Sequence, residues 1–162
     1  MSVRTALFAL GFRPFYLLAA LFAAVAMPAW VADLAGYGWP TAYLEGLAWH
    51  QHEMVFGFAL AVIAGFLLTA ARVWSGRPTP SGLPLALLAA QWLAARVLML
   101  TGPGWLGALV DVAFPFVLAA VLARVLFAAR NRRNYFVPAL LAALGAADAC
   151  FHLSTLGLIE LP

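Results

Sequence analysis

The 162-residue chain has no lysine, a single cysteine and very little charge, with only 9% of its residues Asp, Glu, Lys or Arg. Soluble domains carry roughly 25% charged residues, so the shortage excludes water as the solvent for most of this surface. With one cysteine, Cys150, no intrachain disulfide is available. It lies in an apolar run and is expected to be a small packed residue rather than a reactive thiol. The basic residues are all Arg and form no long run, and no soluble basic domain exists to carry a nucleic-acid surface. There is no phosphate-binding glycine loop before a helix, no paired-cysteine motif and no nucleophile elbow. A cleavable signal peptide is not expected either: the first apolar segment, from about Phe15 to Ala35, outruns a signal core of roughly 7–15 residues and reads as a retained span.

What the chain has instead is apolar length. It is 66% hydrophobic, and at about 20 residues per span its length suits four to six transmembrane helices with short loops. The pattern predicts an all-α, polytopic transmembrane bundle forming one domain over residues 1–162, with five spans at about 14–35, 47–72, 83–100, 105–129 and 135–158. Pro14 suits a first helical turn, and Pro28 is expected to kink the first span. Gly36 to Pro40, Arg77 to Pro80, Thr101 to Gly104 and Arg130 to Asn134 mark the turns. Small residues at Gly57, Ala61 and Gly65 share one helix face and predict a close helix approach.

The arginines orient the bundle. Arg72 and Arg77, then Arg130, Arg132 and Arg133, fall in the loops after spans two and four, and the loops after spans one and three carry none. The positive-inside rule then predicts a cytoplasmic amino terminus and a periplasmic carboxyl terminus in a bacterial inner membrane.

On that topology the remaining ionisable groups converge in depth. His50, His52 and Glu53 open span two, Arg96 closes span three, Asp111 opens span four, and Asp148 and His152 close span five. Four separate spans thus place ionisable groups in one slab near the outer face, where burying them is costly unless they have partners or a task. Neutral imidazole is the commonest transition-metal and haem ligand, and neighbouring carboxylates can fix its tautomer. His50 and His52 stand about 200° apart on a regular helix and cannot both face one small site. His50 with Glu53, and Asp148 with His152, share faces by spacing. Arg96 and Asp111 are expected as a buried ion pair, with Asp148 an alternative partner for Arg96. Met54 and Met99 are soft donors near the slab for which packing is the plainer role. The tryptophans and tyrosines near span ends read as interface anchors.

Several stretches resemble the amino-terminal part of the NnrS family of haem- and copper-containing membrane proteins. They are Gly11-Phe12-Arg13-Pro14-Phe15-Tyr16-Leu17-Leu18, Trp49-His50-Gln51-His52-Glu53-Met54-Val55-Phe56-Gly57-Phe58, and Ala64-Gly65-Phe66-Leu67-Leu68-Thr69-Ala70 with Trp74-Ser75-Gly76-Arg77-Pro78. Asp111-Val112-Ala113-Phe114, Arg130-Asn131-Arg132-Arg133-Asn134 and Phe151-His152-Leu153 follow in family order. The resemblance implies an inner-membrane protein of nitric oxide metabolism, tied to denitrification and to protection against nitrosative stress, with haem b and copper as cofactors. It makes His50, His52 and His152 candidate ligands. By their own chemistry Met54 is a further candidate metal donor and Arg96 a candidate partner for a haem propionate or for Asp111. Glu53, Asp111 and Asp148 become supporting groups. His52 and His152 are the first choice for axial ligands and His50 the competitor or copper ligand. The family pattern runs to about twelve spans, of which this chain matches the first five, so a homo-oligomer or a larger membrane complex is expected as its setting. Two other classes fit the same residues: a non-enzymatic membrane subunit whose polar layer is structural, and a small transporter or proton relay.

Overall fold

The computed structural model describes residues 6–38 and 43–160. Among them it is all-helical, with five helices long and apolar enough to cross a membrane. These are α1 (Phe12–Leu34), α2 (Gly46–Ser75), α3 (Leu83–Thr101), α4 (Gly104–Ala128) and α5 (Phe136–Thr155), the last preceded by a 3₁₀ turn at Arg132–Asn134. Five membrane-spanning helices were expected, and five helices of that length and apolar character are present among the described residues.

α2 and α4 form the centre. α4 packs against α2, α3 and α5, while α1 lies along α2 and touches α3 more lightly. Although α4 is apolar all round, its buried residues form one stripe. Asp111, Phe114, Pro115, Leu118, Leu122 and Leu126 recur at three- and four-residue steps, the helical repeat. Leu109 and Phe127 face outward, as expected of a helix with lipid on one side and protein on the other. Phe15, Leu60, Leu68, Trp92, Phe114 and Leu118 fill the main core.

The sequence motifs do identifiable packing work. The Phe12 backbone N–H donates to Thr69 Oγ1 at 3.1 Å, and that hydroxyl donates to the Gly65 carbonyl at 2.9 Å. A Cβ at Gly11 would strike Leu68 Cβ, and one at Gly65 would lie 2.9 Å from the Tyr16 ring. The predicted small-residue face is therefore where α1 approaches α2. At the opposite end of the bundle from the histidine-bearing helix ends, Asn131 Nδ2 donates to the Trp74 carbonyl at 2.7 Å and Asn134 donates to Asn131. These bonds tie the basic α4–α5 turn to the end of α2.

Two features differ from the sequence reading. α2 is not regular: Gly46–His52 is α-helical, Glu53–Ala59 is a π-helix, and Leu60–Ser75 is α-helical again. Cys150, expected in the packed interior, is exposed on α5. In a bundle with apolar surroundings, an apolar run does not say which of its faces is packed.

Candidate metal centre

The π-helical stretch begins at the functional residues. Its wider turn alters the angular phase of α2, and such turns concentrate at functional sites. His52 and Glu53, neighbours in sequence, are both buried, at 1% exposure each. Trp92 Nε1 donates to the Gly57 carbonyl at 3.1 Å, holding the π-turn against α3. Gly57 is required by close approach: a Cβ there would meet Glu53 Oε2, and would lie 3.0 Å from both Arg96 Nη1 and the Phe22 ring.

Around this turn the polar side chains of four helices close into one buried cluster. His52 Nε2 lies 3.0 Å from Asp148 Oδ1 and 3.3 Å from Asp111 Oδ2. His152 Nε2 lies 3.4 Å from the same Asp148 oxygen and 3.6 Å from the same Asp111 oxygen. Two imidazole nitrogens and two carboxylate oxygens thus alternate around a ring, and donor atoms of these four residues lie within 4.8 Å of one another.

Each imidazole is held from behind through its other nitrogen. His52 Nδ1 is 3.4 Å from Glu53 Oε1, and His152 Nδ1 is 2.9 Å from the Tyr43 hydroxyl. Arg96 reaches the outer oxygens, with Nη1 3.4 Å from Glu53 Oε2 and Nη2 in close contact with Asp111 Oδ1. The expected Arg96–Asp111 pair is therefore present, with Glu53 as a second anion. The contacts of Arg96 are ionic without well-directed hydrogen bonds. The same holds for both Asp111 oxygens and His152 Nε2, while Asp148 Oδ2 has no hydrogen-bond partner among the described residues.

Tyr43 was expected only as an interface anchor. It precedes α2 in the chain, yet its ring stacks on His152 at 5.7 Å between centres and 18° between planes. Burial, and then the Asp148 and Asp111 carboxylates, push its hydroxyl up to about 12, so it stands there as a neutral phenol. The sequence held one signal for it, a position on the loop at the same end as the polar slab.

The other candidates separate from the cluster. His50 stacks face to face on Trp30, with ring centres 3.6 Å apart and planes at 6°, so the two α2 histidines do diverge as their spacing requires. Glu53 serves His52 and Arg96 rather than His50. Met54 is half-buried on the π-turn, and Met99 packs with Ala26, Leu44 and Trp49. Asp111 and Asp148, expected only as supporting groups, stand among the inner donors.

The donor set discriminates between candidate cofactors. A tetrahedral ion with bonds of about 2.0–2.2 Å has ligand–ligand edges of roughly 3.3–3.6 Å; the four edges around this ring run from 3.0 to 3.6 Å, and all its donor atoms lie within 4.8 Å of one another. A porphyrin does not fit between the same imidazoles. At about 2 Å per iron–nitrogen bond, two axial imidazoles need ring centres roughly 6 Å apart, whereas His52 and His152 have centres 4.8 Å apart with Asp148 against both.

The family model described as NnrS protein matches residues 6–161. No curated protein and no solved structure matches the chain. The chain therefore belongs to the NnrS family.

Proposed function

We propose that this NnrS family member is a multi-pass inner-membrane protein that binds one divalent transition-metal ion between His52, Asp111, Asp148 and His152 and uses it in nitric oxide handling. The alternating nitrogen–oxygen ring carries this reading. Its four edges suit a small ion, and two of its atoms, Asp111 Oδ2 and His152 Nε2, have no hydrogen-bond partner among the described residues. Charge supports it as well. Glu53, Asp111 and Asp148 contribute three negative charges against the one of Arg96, and uncompensated buried charge is expensive. One divalent ion on two neutral imidazoles supplies the missing two positive charges.

Copper is the preferred occupant. Imidazole with carboxylate suits copper, zinc and iron, and copper(II) binds most tightly to a given site of this kind. It would supply a Lewis-acidic, redox-active centre able to take a small diatomic ligand. The chain's own residues do the rest. Glu53 and Tyr43 orient the imidazoles, Arg96 holds Asp111 and Glu53 in place, and the apolar surroundings exclude water. A cavity of about 400 Å³ between α1 and α3 is lined by Leu18, Phe22, Trp92 and Val97 with Arg96 in its wall, an apolar recess suited to a neutral gas dissolved in lipid.

The test is metal analysis with optical and electron paramagnetic resonance spectra on detergent-purified protein, before and after nitric oxide. About one ion per chain is expected, with a nitric oxide-dependent spectral change. Metal-free protein that takes up none on titration would overturn the reading. A structural polar layer is the second reading, and the same charge count favours it if two protons, one on each imidazole, replace the ion. Metal analysis separates the two.

A further inference from the structure

We infer that Tyr43 is the positioning residue for His152: its hydroxyl takes the Nδ1 side of the ring and so commits Nε2 to the metal. The inference rests on the metal reading above. Three observations carry it. The hydroxyl is 2.9 Å from Nδ1 while Nε2 faces Asp148 and Asp111, so the two nitrogens have separate assignments. The phenol ring lies against the imidazole in a near-parallel stack, which fixes the ring plane as well as one atom. The seat is built for it: a Cβ at Gly104, the first residue of α4, would collide with the Tyr43 ring, and the adjacent Leu44 is anchored in the apolar cluster of Ala26, Trp49 and Met99.

The chemistry requires a group of this kind. An imidazole bound through Nε2 carries its proton on Nδ1 and needs an acceptor there. A phenol hydroxyl has two lone pairs and one proton, so it accepts from Nδ1–H when the ion is present and donates to Nδ1 when the ring proton sits on Nε2. Glu53 plays the corresponding part behind His52. The two ligating imidazoles are therefore held asymmetrically, one by a carboxylate and one by a neutral phenol. The phenol comes from outside the membrane-spanning helices, three residues before α2 begins.

Copper(II) titration against a competing chelator, with electron paramagnetic resonance, tests this on the wild type, Tyr43→Phe and Gly104→Ala. Tyr43→Phe keeps the ring and removes only the hydroxyl. It is expected to weaken copper binding about 10–100-fold and to change the copper spectrum, with the metal-free unfolding temperature near that of the wild type. Gly104→Ala, which displaces the ring, is expected to weaken binding in the same way with the tyrosine still present. Wild-type affinity and spectrum in Tyr43→Phe would overturn the role of Tyr43 while leaving the metal site standing, whatever Gly104→Ala does. Absence of copper binding in the wild type would overturn the metal site itself. Nitrogen-15 spectra of His152 then still decide the contact to Tyr43, because identical Nδ1 shifts in wild type and Tyr43→Phe would exclude it.

Discussion

His52 and His152 share an oxygen: Nε2 of each imidazole approaches Asp148 Oδ1, at 3.0 and 3.4 Å. The two histidines lie on α2 and α5, 100 residues apart in the chain. A carboxylate oxygen held between two ring nitrogens is one edge of a metal site or the centre of a proton-bridged network, and the predictions below separate these.

His52→Ala and His50→Ala should behave differently. His52 is an inner donor, whereas His50 is stacked on Trp30 away from the cluster. Loss of His52 is expected to reduce bound metal to a small fraction of wild type, and loss of His50 to leave copper affinity within about twofold. Metal content and titration of the two purified variants check this. Equal losses would place His50 in the site.

Arg96→Met removes the cation facing Glu53 and Asp111 in a pocket where Arg96 is only 4% exposed. Removing one partner of a buried ion pair costs about 3–5 kcal/mol. Thermal unfolding in detergent should show a marked fall for the metal-free variant. Arg96→Lys is expected to recover part of it, because the charge is retained but the fork that reaches both carboxylates is lost.

Gly57→Ala should disturb the site through shape alone. The added Cβ would meet Glu53 Oε2 and press on Arg96 and Phe22. Overpacking of this kind costs roughly 1–3 kcal/mol, and displacement of Glu53 should also weaken metal binding. An unchanged unfolding temperature with wild-type affinity would show that α3 can shift to accept a methyl group.

Cys150→Ser should be nearly silent. Cys150 is exposed on α5, and substitutions away from packed features usually fall within about 0.5 kcal/mol. In membranes, a lipid-permeant thiol reagent is expected to label Cys150 while a charged impermeant one does not. Labelling by the impermeant reagent would mean that this face of α5 meets water.

The sequence by itself determined the membrane class, the five spans and the depth of the polar residues. Apolar run length and turn chemistry are local properties, and a residue's depth follows from counting along its helix. It also separated His50 from His52, because helical phase is local, and it paired Asp148 with His152 for the same reason. Tertiary structure alone decided which groups meet. Depth places a residue at a height but leaves its rotation about the helix axis open, and an all-round apolar helix gives no stripe from which to read that rotation. The packing of α4 against α2, α3 and α5 turned Asp111 inward, the π-turn at Glu53–Ala59 set Glu53 beside His52, and a residue 109 positions away supplied the partner of His152. The same freedom of rotation put Cys150 outside and Asp148, two residues earlier, at the centre.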